Sequence, residues 1–286
     1  MTDDQISRLT AAQAPEIVDC FRRVYGESYA NELFYDEARL SAALAEGRIG
    51  SVGAVGPDGR IRGHMAMTVH PDAVFVELGN TVVDPEARGG GLAWRIGAEL
   101  SAWCRELGYR GFLHYPTTDH HIMQRRSVER GFETGLMLGY IPADTDGKVR
   151  SRAVPLRQAA TIVYEPYEAG AAAECFAPAR YAALLEALAA PTGLPRTWRP
   201  ATAGGGQPGL TELLRYPKRG LARLDVVRCG AGLDTALGGL AEYASPCRQV
   251  DFRLDDPGID RGVELAPALE NPVARRLLND YLRGTR

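Results

Sequence analysis

The chain has 286 residues, a formal net charge of -3 and 45% hydrophobic residues, an ordinary globular composition of a length that suggests about two domains. The weak net charge argues against a nucleic-acid partner, which would call for a basic excess, and no apolar run is long enough to span a bilayer. The cysteines, Cys20, Cys104, Cys175, Cys229 and Cys247, are scattered and form no Cys-x-x-Cys pair; with an acidic, polar start unlike a secretory signal they suggest a cytoplasmic protein with free thiols and no zinc site.

In chain order, "QISRLT" reads as a strand. "APEIVDCFRRVYG" reads as a helix with Ile17, Val18, Phe21 and Val24 on one face. "ESYANELFYDEARLSAALAEGR" carries a second helical pattern through Leu40, Ala43 and Leu44. Residues 49–83 predict three antiparallel strands, turned at "GPDG" and at "HPDA". Residues 92–107 predict a helix with Ile96, Leu100, Trp103 and Leu107 inward. "GYRGFLHYP" is then a strand parallel to the one before the helix. "DHHIMQRRSVERG" is a helix with Asp119 as cap, ended by Gly131, and "FETGLMLGYIP" supplies closing strands.

The informative stretch is "VVDPEARGGGLAWRIGAEL", residues 82–100. A strand runs into consecutive glycines, Gly89, Gly90 and Gly91, and then a helix. Unpaired N–H groups and a partial positive charge at a helix start bind phosphates, and glycines let the oxygens approach. A P-loop is excluded, because Leu92-Ala93 stands where Lys-Ser/Thr is needed. A dinucleotide fingerprint is excluded, because Trp94 stands where the third glycine belongs. Capping alone needs one glycine rather than this run.

The spacing Arg-x-x-Gly-x-Gly/Ala is met by Arg88, Gly91 and Ala93. With the strand before it, the helix after it and Gly131-Phe132 downstream, it resembles the acetyl-CoA loop of the GNAT acyltransferase superfamily over about residues 5–142. The resemblance implies an α/β (α+β) fold: a GNAT-type mixed sheet with an antiparallel N-terminal meander and splayed parallel central strands. It implies that the N–H groups of Gly89, Gly90, Gly91, Leu92 and Ala93 hold the CoA pyrophosphate, with Arg88 opening the loop. The backbone of Val82 and Val83 would pair with the pantetheine arm, and the Val83 N–H would meet the oxyanion.

Acyl transfer to an amine needs a base and an oxyanion donor. Glu77 matches the glutamate of some histone-acetylating members and is the candidate base, and Asn80 is placed to orient a water. Ser127 occupies the position of the family's tyrosine acid, a departure that leaves Tyr115 and Tyr140 as substitutes by location. Another departure puts His120 near the family's asparagine. The cluster Asp119, His120, His121 and His114 fixes no third metal ligand by spacing, so no metal is expected. His121 and Gln124 share a helical face and are candidates for the cleft. Tyr29, Phe34 and Tyr35 are candidates for the acceptor wall, with Glu27 and Glu32 favouring a cation.

The expected function is acetyl-CoA-dependent N-acetylation of a small-molecule primary amine in a ternary complex, without nucleic acid or membrane. The alternative is a non-catalytic acyl-CoA-binding sensor. The expected domains are 1–146 and 151–286, the second an α/β lobe or degenerate GNAT-like half. That lobe is expected to lack a glycine-rich helix entrance and to pack through Leu184, Leu185 and Leu188. The oligomeric state is not readable from the sequence.

Overall fold

A computed structural model describes residues 4–29, 31–69, 75–118, 121–141, 157–167, 172–202, 208–216, 221–242, 247–252 and 258. The "HPDA" turn, the Asp119 cap, His120 and the loops around Lys218 and Asp255 lie outside these residues. The chain forms two compact units, residues 1–137 with 141–168, and residues 138–140 with 169–286.

The first unit begins with strand β1 (Gln5–Leu9), helix α1 (Ala14–Tyr25) and helix α2 (Glu37–Ala45). Strands β2 (Ile49–Val55), β3 (Ile61–Thr68) and β4 (Val76–Val83) follow. Then come α3 (Leu92–Glu106), β5 (Gly111–His114), α4 (His121–Arg130), β6 (Phe132–Ile141) and β7 (Gln158–Pro166). The sheet order is β1-β2-β3-β4-β5-β7-β6. Strands β1 to β4 are antiparallel neighbours, and β5 lies parallel to β4 across α3. The expected mixed sheet is therefore present.

Two cores cover opposite faces. Ile17, Val18, Phe21 and Val24 of α1 and Leu40 and Ala43 of α2 bury one face. Leu92, Ile96, Leu100 and Cys104, each four residues apart on α3, bury the other with Val52, Met65, Met67 and Phe112. The inward stripe of α3 thus differs from the expected one. Cys104 is buried, whereas Leu107, beyond the last turn, is 53% exposed.

The single helical pattern expected over residues 27–48 is broken in two. A 3-10 turn at Glu32–Tyr35 is capped by the Asn31 side chain. Asp36 then restarts the helix, accepting a hydrogen bond from the Arg39 N–H at 3.0 Å. Each Asx cap satisfies N–H groups that a continuous helix would have bonded itself.

The domain boundary also differs. Strand β7 falls within the expected second domain, 151–286, yet it inserts between β5 and β6 of the first unit, antiparallel to both. Sequence neighbours are usually spatial neighbours, and this return to a place inside the sheet is not.

In the second unit β8 (Ala173–Ala177) and β9 (Arg196–Pro200) are parallel, with α5 (Ala182–Ala189) between them in sequence. Leu184, Leu185 and Leu188 are half-buried, and α5 has no fully buried residue. Strand β10 (Leu210–Tyr216) pairs antiparallel with β11 (Leu221–Arg228), and β12 (Cys247–Phe252) lies parallel to β11 across α6 (Leu233–Glu242). Leu233, Leu237 and Leu240 pack on Ala222, Leu224 and Val226.

The expectation was of no glycine-rich helix entrance comparable to Gly89–Gly91 in this unit, and a sparser one is present. Gly230 and Gly232 precede α6, and Gly232 has φ +90°. The order hairpin, glycine turn, helix, parallel strand repeats that of β3 to β5. Here the chain makes bonds of its own beside the turn, and the Leu233 N–H is already taken by the Gly230 carbonyl at 3.3 Å. The Gly209 N–H donates to the Ala231 carbonyl at 2.8 Å. Arg228 Nε donates to the Pro208 carbonyl at 3.0 Å. Asp234 sits in the first turn of α6, where its charge disfavours an anion.

Candidate active site

Strand β4 carries an extra residue. His64 pairs with Val82 and Ala66 with Gly79, so Met65 alone faces both Asn80 and Thr81. This is a β-bulge. Asn80 has φ +50°, the only non-glycine residue with positive φ among those described. The extra residue reverses the alternation of the strand. Val76 packs on the α3 core, whereas Val82, also even-numbered, packs on the α1 core. Glu77, between Val76 and Leu78, which both pack toward α3, faces α1. Gly79 shares that side with Glu77, and a Cβ built there would meet nothing within 4 Å.

The bulge is held by side chains. His64 Nδ1 lies 3.0 Å from the Asn80 carbonyl oxygen, and its Nε2 lies 3.0 Å from Ser51 Oγ. The Tyr29 hydroxyl donates to Asn80 Oδ1 at 3.2 Å, and Asn31 Nδ2 donates to the same oxygen at 3.0 Å. Tyr25 donates to the Thr81 carbonyl at 3.4 Å. Full burial holds the His64 pKa at about 4, so the ring is neutral.

Strands β4 and β5 pair only from Val76–Phe112 to Leu78–His114. Strand β5 ends at His114, so β4 runs on from Gly79 to Val83 without a β5 partner. His114 sits at the last pair. It is buried, its Nε2 has no hydrogen-bond partner among the described residues, and desolvation lowers its pKa to about 4.

Past Val83, Asp84 and a 3-10 turn at Pro85–Ala87 lead to the glycines. Gly89 has φ +86° and Gly91, the cap of α3, has φ +71°. Only glycine adopts these values without strain. A Cβ at Gly89, Gly90 or Gly91 would meet nothing within 4 Å, so the space before the loop is open. The first amide of this segment with a backbone acceptor is Trp94, bonded to the Gly91 carbonyl at 3.0 Å. The N–H groups of Gly89, Gly90, Gly91, Leu92 and Ala93 have none among the described residues. Arg88 turns back, its Nε donating to the Val83 carbonyl at 3.2 Å. These residues fit a pyrophosphate: successive N–H groups lack backbone acceptors, the backbone is bare, and the α3 dipole adds positive charge.

The remaining expected residues separate. Tyr29 and Tyr35 are partly buried on the α1 side, where the Tyr35 hydroxyl accepts from the Tyr29 N–H at 2.8 Å. Phe34 is fully buried against Phe21, their ring centroids 4.6 Å apart, so it is core rather than a surface for substrate. Glu27 pairs with Arg22 at 3.6 Å. Ser127 is buried with its hydroxyl donating to the Met123 carbonyl at 2.8 Å, so the helix backbone uses it. Gln124 is likewise occupied. Its Nε2 donates to the carbonyls of Pro116 and Thr117, each at 3.0 Å, which fastens α4 to the exit of β5. Tyr115 follows the end of β5 and is half-buried. The side chains of His121 and Tyr140 lie outside the described ones. Among the described residues no group of three or more His, Cys, Asp or Glu side chains is placed to hold a metal.

Sequence reasoning missed His64, Ser51 and Asn31. The one available signal was a histidine inside an apolar strand, at a position where alternation turns it toward the α1 core.

Residues 14–130 match the model of the acetyltransferase (GNAT) family. That stretch is a GNAT acetyltransferase domain. Among solved structures, the chain is similar to the ribosomal-protein-S18-alanine N-acetyltransferase of Escherichia coli, at 15% identity and TM-score 0.46, over 59% of this chain and 96% of that one. It is similar to yncA of Salmonella typhimurium, an acetyltransferase solved with acetyl-CoA, at 15% identity and TM-score 0.46, over 60% and 98%. It is also similar to the paia N-acetyltransferase of Thermoplasma acidophilum, solved with coenzyme A, at 16% identity and TM-score 0.40, over 58% and 99%. No curated protein matches the sequence. No described helix is long and apolar enough to cross a membrane.

Proposed function

We propose that the chain transfers an acetyl group from acetyl-CoA directly to a primary amine of a small molecule, in a ternary complex. The observation that carries this reading is the unpartnered end of β4, from Gly79 to Val83, leading into the bare glycine loop. The loop feeds α3, so the donor approaches from the α3 side. Glu77, the open space at Gly79 and the Asn80 carboxamide lie toward α1, where the amine enters.

In this reading Val82 and Val83 offer their backbone to the pantetheine arm. Glu77, directly or through a water held by Asn80, takes the amine proton. The nitrogen attacks the thioester carbon, and the oxyanion is met by the Val83 N–H. The C–S bond then breaks, and the thiolate takes its proton from water. No side-chain acid is required, which suits a Ser127 hydroxyl bound to its own helix. The same Ser127 geometry favours the second reading, a non-catalytic acyl-CoA-binding module.

A screen of amines that follows release of free thiol from acetyl-CoA separates the two. Amine-dependent release supports transfer. Saturable acetyl-CoA binding without release in the presence of any amine supports the binding module.

A further inference from the structure

The bulge geometry points to a residue outside every role assigned so far. We propose that His64 is a positioning residue for acyl transfer, holding Asn80 in the conformation that presents its carboxamide to the acceptor. This rests on the transferase reading above.

The donors and acceptors can be assigned in sequence. The Leu33 N–H donates to Asn31 Oδ1 at 3.3 Å, so the other end of that amide, Nδ2, is the donor toward Asn80. Asn80 therefore turns Oδ1 toward Asn31 and Tyr29, and its Nδ2 donates to no described residue. Its carbonyl oxygen can only accept, so His64 carries its proton on Nδ1. Nε2 is then bare and accepts from the Ser51 hydroxyl.

The backbone that these bonds hold is costly. Left-handed φ disfavours residues with a Cβ, Asn less than most, and within a strand it is held in place by its surroundings. His64 is fully buried on the strand beside Asn80, packed edge-on against Phe21 and Phe34 with ring centroids 5.5 Å away. The imidazole cannot swing away, and it holds the carbonyl from the α1 side. Without that bond the peptide after Asn80 is free to rotate, and the carboxamide moves with it.

Two substitutions of similar polarity separate positioning from filling the core. His64→Asn puts a carboxamide nitrogen at the same number of bonds from Cα as Nδ1 and keeps the bond to Asn80. His64→Gln carries its nitrogen one bond further, toward Ser51, and loses it. With acetyl-CoA and a cognate amine at saturation, His64→Asn keeps kcat within about threefold, while His64→Gln loses about 10²-fold, the cost of an ångström-scale misplacement. KM for acetyl-CoA is unchanged in both, because the glycine loop is untouched. Carbon-13 and nitrogen-15 shifts of the wild-type ring report the Nδ1–H tautomer. An Nε2–H tautomer, or equal kcat losses in the two variants that track their loss of Tm, overturns the proposal. A wild type that binds acetyl-CoA yet acetylates no amine removes the transferase reading, and this role with it.

Discussion

Arg23 of α1 reaches across to strand β4 and holds Asp84, with Nε 3.3 Å from Oδ2, while its Nη2 donates to the Ile61 carbonyl at 2.6 Å. Asp84 is where the strand gives way to the turn before the glycines, and its own N–H donates to the Arg62 carbonyl at 2.8 Å. Helix α1 thereby fixes the start of the glycine loop. Both side chains are mostly shielded, 19% and 18% exposed, so solvent screens the pair only in part.

Replacing Arg23 with Met keeps the aliphatic stem and removes both of these bonds together with the pair to Asp19 on the same helix. The expected result is a loss of about 1–3 kcal/mol of stability, since Asp84 is left short of a partner. The loop loses its fixed origin, so the Kd for acetyl-CoA rises several-fold. Unchanged acetyl-CoA affinity in a destabilised variant would show that the loop holds its shape without Arg23.

Glu77→Gln keeps the shape of the candidate base and removes its proton acceptance. Turnover is expected to fall by about 10²–10⁴-fold, with acetyl-CoA affinity nearly intact. The low-pH limb of the rate profile should change with it. Equal turnover at saturating amine would leave Asn80 and a bound water to carry the proton.

Stability should depend on pH through His64 and His114. Burial lowers both pKa values from 6.5 to about 4. Between those values the unfolded chain binds protons that the folded chain refuses, so stability rises with pH across that window. The contribution is complete above pH 6.5 and is lost as pH falls toward 4. Denaturant melts from pH 4 to 7 should show it, and His64→Asn should remove one proton's share of the slope. A slope unaltered by that substitution would mean that His64 titrates normally.

The glycine loop was legible because its chemistry is local: three glycines between a strand and an amphipathic helix imply bare N–H groups. The α3 stripe was nearly legible, and it missed Cys104 because a buried cysteine acts as a small hydrophobe. The His64–Asn80 bond was not legible. It joins residues 16 apart through a bulge that only the strand register reveals. Gln124 was placed by helical face and Ser127 by the family's tyrosine position, yet neither shows that neighbouring carbonyls already hold their polar atoms. The strand β7 was assigned to the wrong unit because its place between β5 and β6 depends on pairing. The α6 entrance was overlooked because Ala231 interrupts its glycines.

Calorimetric titration of acetyl-CoA into the wild type and into Gly90→Glu tests the central claim most directly. Gly90 is the right site because, unlike Gly89 and Gly91, it has no positive φ, and a Cβ there meets nothing within 4 Å. The variant should fold as the wild type does while setting a carboxylate against the pyrophosphate. One acetyl-CoA per wild-type chain is expected, since Asp234 in the first turn of α6 would repel a second pyrophosphate, and no measurable binding to the variant. Equal binding by the two proteins, or a stoichiometry near two, would contradict it.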